Sequence, residues 1–308
     1  MTSPAHAPSP PLWHPRHWPT WFGLGLLRAA IVLPYPVLLA LGGALGRLMW
    51  WTMARRRRIA LTNLQLCFPH WPASRHRRVC RDTFRSLGIA VFETGLAWWS
   101  PPQRLRRLTR VEGMEFVQHA LDNGRPVIWL GAHYTTLDLS GSSVQACTPF
   151  RHHAVYRPHE NPVIEHVMVR GRSASREYMI ARDDIRKMVK ALRRGGIVWF
   201  AADQNFGHKN SVFSPFFGVP AATNTATARL ARLTGATVIP FVSRRLPGTE
   251  GYLLRFLPPL TDFPSDDIQR DTDRVNAVIE AQVRECPEQY LWVHRRFKDR
   301  PPGEKRFY

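Results

Sequence analysis

Two short stretches are apolar at every position: Val127-Ile-Trp-Leu130, after Pro126, and Ile197-Val-Trp-Phe-Ala-Ala202. A strand with one wet face alternates apolar and polar residues. A strand without that alternation is covered on both faces, as in the interior of a parallel sheet. The flanking segments supply the covers. Glu112 to Asn123 reads as a helix stopped by Gly124, and Pro162 to Arg172 as another. Ile185 to Arg194 is a third, stopped by Gly195-Gly196; residues 223–234 and Asp271 to Cys286 complete the set. Further strands are expected at Ala154-Val-Tyr156, Thr237 to Val242 and Tyr252 to Phe256. Strands alternating with helices predict an α/β domain, its mixed, largely parallel central sheet flanked by helices.

The chain upstream is different. Residues 1–20 are rich in Pro, His and Trp without helical periodicity, and read as a loose arm with Trp13, Trp18 and Trp21 at a membrane interface. From Ala29 to Gly46 no residue is charged. As one helix this run would extend ~27 Å, close to the hydrocarbon thickness of a bilayer. Pro34 and Pro36 would kink it, and Trp50, Trp51 and Arg55 to Arg58 follow as an aromatic belt and basic anchor. A buried core helix is the alternative. The expected organisation is an arm over 1–20, a single N-terminal membrane-inserted helix within 21–58, and one large domain over 59–308 on the cytoplasmic side. Residues 59–69 read as a short helix ended by Pro69, and Ala73 to Trp99 as a long one whose polar side carries Arg75, Arg77, Arg78, Arg81 and Arg85. Pro101-Pro102 ends it.

The formal charge is +20, and residues 1–110 hold 16 Lys/Arg against two Asp/Glu. Such asymmetry calls for an anionic partner. The cations are nearly all arginines, suited to bidentate phosphate contact. They lack RRM, zinc-finger or helix-turn-helix context, so nucleic acid is not expected. Four cysteines without CxxC or metal-ligand spacing read as reduced thiols, and the pair His152-His153 with His159 lacks a matching ligand set, so no metal is expected. No GxxxxGK[ST] and no G-x-S-x-G occurs, which removes the P-loop and the nucleophile elbow.

The first apolar run ends in Gly131-Ala132, and His133 follows at once, with Asp138 five positions on. On one regular helix the two would lie ~140° apart and not touch. With His133 in a strand-to-helix loop and Asp138 in the first helical turn they can meet. The carboxylate would then hold one imidazole nitrogen and leave the other as a general base. The plainer alternative is that Thr135-x-x-Asp138 is a capping box and Asp138 only caps.

His133-x-x-x-x-Asp138 resembles the HxxxxD motif of glycerolipid-type acyltransferases. Other stretches extend the likeness in order: Asn63-Leu-Gln-Leu-Cys-Phe-Pro69; Val155-Tyr-Arg-Pro158 with Asn161-Pro162; Gly171-Arg172; Asp184 to Leu192; Val198 to Asp203; Ser211 to Val219; Ala221 to Thr225; and Pro287-Glu-Gln-Tyr-Leu-Trp-Val-His-Arg-Arg-Phe-Lys298. Over about residues 25–300 the chain is similar to the lipid A biosynthesis lauroyl/myristoyl acyltransferases, the late acyltransferases of lipopolysaccharide assembly. The resemblance implies a glycerolipid-acyltransferase-like fold behind a membrane-anchoring segment at the inner membrane. It implies transfer of an acyl chain from acyl carrier protein to the 3-hydroxyl of a primary acyl chain on a Kdo-lipid A precursor, with no cofactor. It also implies His133 as base and Asp138 as the acid that orients it, with Arg172 and Asp203 as further functional positions. Arg172 would bind a substrate phosphate or the developing oxyanion, or simply pair with Asp203. Tyr156 and Arg157 fall at the sheet edge where ligands collect. Arg170 lies nearby, and Arg295-Arg296 would meet carrier protein or lipid phosphate, or be a solvated pair. A transferase of another glycolipid or glycerophospholipid with the same dyad is the sister reading. A non-catalytic basic membrane-binding protein is the reading from another class.

Overall fold

The computed structural model describes residues 11–174, 178–207 and 210–308. Half of the expected arm, residues 1–10, lies outside them. Among the described residues a seven-stranded sheet forms the centre, with β1 (Thr109–Glu112), β2 (Val127–Gly131), β3 (His152–Tyr156), β4 (Tyr178–Ala181), β5 (Ile197–Ala201), β8 (Thr237–Arg245) and β9 (Tyr252–Phe256). Their order is β1-β9-β8-β2-β5-β3-β4, and every pair is parallel except β8 with β9. The two uninterrupted apolar runs are the neighbours β2 and β5. Ile128 and Leu130 pack into one core, Val127 and Trp129 into another on the opposite face. Two-sided burial is the reason β2 shows no alternation. The remaining strands, β6 (Ser211–Phe216) and β7 (Val219–Asn224), form a separate antiparallel hairpin.

The C-terminal helices match the sequence reading closely: α8 (Pro162–Ala174), α9 (Ile185–Arg193), α10 (Ala226–Thr234) and α11 (Ile268–Glu285). Asp184 and Asp267 cap α9 and α11 by accepting backbone N–H groups of Lys187 and of Gln269 and Arg270. α5 (Pro102–Leu108) follows Pro101, α6 (Met114–Asp122) precedes β2, and α7 (Leu137–Cys147) follows it.

The N-terminal third departs from expectation. The uncharged run is not one helix. It is divided between α1 (Trp18–Ala30) and α2 (Tyr35–Thr52) by a turn over residues 31–34, where Pro34 is the N-cap of α2. α1 also begins inside the stretch read as a loose arm, with a proline in its first turn. α3 (Ala54–Cys67) follows α2 after a bend of 94°, and α4 (Ala73–Trp99) runs over the full predicted length. Among the described residues no single helix is long and apolar enough to cross a membrane, and only the bent pair α2–α3 passes on length and composition. The inner face of α2 is packed instead. Gly42 and Gly46, four apart, meet Gly88 of α4, where a Cβ would lie 2.2 Å from the Gly42 carbonyl oxygen. Only glycine permits backbones this close. The outer faces stay apolar and exposed: Trp18, Phe22 and Leu26 on α1, Val37, Leu41 and Leu48 on α2.

Candidate active site

β2 and β5 are parallel and in register, with Gly131 opposite Ala201. His133 stands two residues past the end of β2, and Asp203 two residues past the end of β5. The register therefore sets them side by side. His133 Nδ1 lies 2.6 Å from Asp203 Oδ1, and the His133 backbone N–H donates to Oδ2 at 2.8 Å. An ionised carboxylate only accepts, so Nδ1 carries the proton and Nε2 is the basic nitrogen. No described residue hydrogen-bonds to Nε2. Gly131 makes room for this edge, because a Cβ there would sit 2.3 Å from the Trp199 indole nitrogen.

Asp138 does not hold His133. It lies in the first turn of α7, and its Oδ1 accepts from Nε of Arg172 at 3.0 Å and from Nη2 at 2.5 Å. Thr94 of α4 donates to its other oxygen at 3.4 Å. The sequence-level pairing is thus exchanged: His133 goes with Asp203 and Asp138 with Arg172, so neither the expected His133–Asp138 contact nor the alternative Arg172–Asp203 ion pair forms. The cause is geometric, since Asp138 turns with its helix toward α8 while Asp203 arrives along the neighbouring strand. The capping alternative is not realised either, as the N-cap of α7 is Thr136 and makes no side-chain cap. The hydroxyls of Thr135 and Thr136 go instead to Ser86 and Ser243.

Burial acts to raise Asp203, but the charge and hydrogen bonds of His133 outweigh it and hold the carboxyl at about 2. Burial likewise acts to lower His133, and the Asp203 charge and hydrogen bond reverse that, leaving its pKa above the ordinary 6.5. Behind the pair, burial pushes His294 down to about 4, so it is neutral, and its Nε2 accepts the backbone N–H of Asn205.

The loop bearing His133 is strapped from outside. Leu291 N–H donates to the His133 carbonyl at 3.0 Å, Thr135 N–H donates to the Gln289 carbonyl at 2.8 Å, and Tyr134 pairs with Tyr290 between them. Asn63 of α3 holds this strap by donating to the carbonyls of Trp292 and His294, both at 2.7 Å. A buried ion pair braces the same region: Arg245 of β8 makes two bonds to Glu93 of α4, at 2.6 and 2.8 Å, and a third to Ser86. Asn63, Gln289, Glu93 and Arg245 were not among the residues singled out from sequence. The first two lie inside matched motifs, whereas the Glu93–Arg245 pairing has no sequence signal.

A cavity of about 310 Å³ opens at His133 and is also lined by Asp138, Arg172 and Tyr156. Its buried wall comprises Trp129, Val144, His152, Ala154, Trp199 and Phe241. Tyr156 donates to Glu165 at 3.0 Å, and the exposed Arg157, paired loosely with Glu160, belongs to the accessible rim. Arg170 is exposed and does not line this cavity. Arg295 is half-buried over the Tyr308 ring. Arg296 is not a surface cation: only 2% exposed, it donates to the Ala222 carbonyl and to Thr223 and Asn276. Contact with carrier or lipid phosphate is ruled out for it by burial, and its charge instead favours the ionised form of Asp203.

Residues 7–299 match the bacterial lipid A biosynthesis acyltransferase family. The chain is 42% identical over 293 residues to the lipid A biosynthesis lauroyltransferase of Escherichia coli K12, covering 95% of both proteins. It is 43% identical over 296 residues to the palmitoleoyltransferase of the same strain, covering 96% of both. To that strain's myristoyltransferase it is 29% identical over 298 residues, covering 94% of this chain and 90% of the other. On this full-length agreement, the chain belongs to the bacterial lipid A biosynthesis acyltransferase family and is an acyltransferase.

Proposed function

We propose that the protein moves a fatty acyl chain from an acyl-carrier-protein thioester to the 3-hydroxyl of a primary acyl chain on a Kdo-lipid A precursor. The carrying observation is the His133–Asp203 pair, with His133 lining a cavity that has both an apolar wall and polar groups. His133 Nε2 takes the proton of the acceptor hydroxyl as its oxygen attacks the thioester carbonyl. Asp203 fixes the tautomer and stabilises the imidazolium. The tetrahedral intermediate collapses, the C–S bond breaks, and the carrier thiolate recovers the proton from His133. The ester and free carrier protein are the products. Arg172, aimed by Asp138, offers its guanidinium to the developing oxyanion or to a substrate phosphate. The cavity wall of Trp129, Val144, Ala154 and Phe241 suits a hydrocarbon chain, and the related proteins named for lauroyl and palmitoleoyl transfer handle such chains. Tyr156 and Arg157 at the rim, with Arg295 nearby, receive anionic parts of the substrates.

The exposed apolar faces of α1 and α2 lie in the cytoplasmic surface of the inner membrane in this reading, and the arginines of α3 and α4 meet headgroups or the acidic carrier. The test supplies purified protein with acyl-carrier-protein thioester and the lipid precursor, and detects the acyloxyacyl product by mass spectrometry. His133→Ala is expected to lose at least ~100-fold in rate, the contribution of a general base. Undiminished transfer by that variant would overturn the base assignment, and no product from the wild type would overturn the substrates.

A further inference from the structure

A second hollow lies behind the catalytic cavity. α8 separates the two. Its Met168 and Arg172 line the cavity at His133, while His166, Val167, Arg170 and Gly171 line a groove of about 480 Å³. The opposite walls are Trp21, Leu24, Gly25 and Arg28 of α1, with Trp98 and Trp99 at the end of α4. Asn161, just before α8, donates to Thr20 of α1 at 3.0 Å and ties the walls together. Gly171 lets α8 sit on the floor, since a Cβ there would be 2.7 Å from Cβ of Trp98.

The lining has one chemistry. Three tryptophans, Leu24 and Val167 make it apolar, and among the described residues its ionisable groups are Arg28, Arg170 and His166. Among the described residues no acidic side chain lines it, and neither Arg28 nor Arg170 has a carboxylate partner. Arg28 is held 5.7 Å from the Trp99 ring centre. The indole N–H of Trp98 is buried with no hydrogen-bond partner among the described residues. Left to water, such a groove would keep several aromatic faces wet at a cost proportional to their area. A hydrocarbon chain removes that cost, and an attached phosphate meets the unpaired guanidinium groups. The exposed Trp18, Phe22 and Leu26 form the adjoining stripe of α1, at a spacing of four, so the groove opens beside an apolar outer face.

We propose that this groove binds one acyl chain of an anionic membrane phospholipid, its phosphate between Arg28 and Arg170. The site is separate from acyl transfer and stands whether or not the transfer substrates above are right. Its occupant braces α8, whose other side carries the Arg172 that Asp138 holds.

The test uses the full-length protein on vesicles of phosphatidylglycerol carrying a photoreactive group in the acyl chain, with matching phosphatidylcholine vesicles in parallel. Cross-linked peptides are mapped by mass spectrometry. Peptides of the groove walls, residues 21–28, 98–99 and 166–171, are expected to be labelled from phosphatidylglycerol. Gly25→Leu is expected to abolish this labelling while the melting temperature holds. A Cβ at Gly25 meets nothing within 4 Å, and leucine favours the helix while filling the groove. Val167→Phe, from the opposite wall, is expected to act alike. Arg28→Gln combined with Arg170→Gln is expected to lower the preference for the anionic lipid about tenfold, the worth of one charge-assisted contact. Labelling confined to the outer stripe, equal labelling from phosphatidylcholine, or indifference to Gly25→Leu would each overturn the proposal. Displacement by millimolar inorganic phosphate would make it a free-phosphate site, and displacement by the lipid A precursor would make it a substrate subsite. Either result also overturns it.

Discussion

Replacing Asp203 by asparagine separates the two carboxylates near His133. The substitution keeps the shape and leaves one acceptor oxygen, but removes the charge that faces Nδ1 at 2.6 Å. One charge-assisted hydrogen bond is worth about 1.5–3 kcal/mol, or roughly 10- to 150-fold in rate. Loss of imidazolium stabilisation and of the enforced tautomer carries the drop toward ~10⁴-fold, as for buried aspartates of catalytic triads. The pH profile gives a second readout. Burial lowers the His133 pKa, and the Asp203 charge and hydrogen bond raise it above 6.5. Without that charge, burial prevails and the value falls. A general base works unprotonated, so the acid limb of kcat/KM is expected to move to lower pH while the plateau drops. Asp138→Asn leaves the Nδ1 bond intact and loosens only Arg172, so its plateau should fall with the acid limb unmoved. The assay is initial-rate acyl transfer from pH 5 to 9 for wild type and both variants. An acid limb that moves in Asp138→Asn and stays in Asp203→Asn would refute the pairing.

Arg172→Lys is expected to cost at least ~10-fold in kcat/KM, because an ammonium cannot copy the two-nitrogen contact with Asp138; with Asp138→Asn the losses should be less than additive, which a double-mutant cycle reads out. Ala154→Trp fills the buried wall of the cavity, and competition between acyl donors should shift selectivity toward shorter chains, each methylene discriminating by ~1–3 kcal/mol. Glu93→Gln strands the buried Arg245 without a counter-charge and should cost ~3–5 kcal/mol of stability, seen as a lower thermal or denaturant midpoint. Gly88→Ala drives a methyl into the α2 backbone and should cost ~1–3 kcal/mol or more, while Gly23→Ala, whose Cβ meets nothing, should not destabilise.

The sheet interior was legible because two-sided burial writes itself as uninterrupted apolar runs, and both runs proved to be central strands. The four-residue edge strands β1 and β4 were not, being too short to carry a period. The hairpin β6–β7 was masked by Pro215 and Pro220, which argue against strands when read locally. The uncharged run of the N-terminal third reads as one long helix, yet the structure divides it at Pro34, and Gly42 and Gly46 pack the second part, α2, against α4. At the site, His133, Asp138, Arg172 and Asp203 were all named, but not who pairs with whom. Spacing along the chain favoured the near carboxylate. The true neighbour lies 70 positions away, and only the in-register alignment of β2 with β5 reveals it: each of these strands is followed, two residues past its end, by a member of the pair. Arg296 illustrates the opposite failure, since a basic pair in sequence does not reveal that one of its members points inward.

The strap across the His133 loop has a consequence for how the protein is made. Synthesis delivers His133, Asp138, Arg172 and Asp203 long before Gln289, Tyr290 and Leu291, and the Asn63 amide waits from near the start for carbonyls of Trp292 and His294. A ribosome that has made all four of these side chains has still not made the strap that fastens the loop of the first. A chain cut short anywhere between Asp203 and Gln289 therefore carries all four side chains without the hydrogen bonds that fasten the His133 loop.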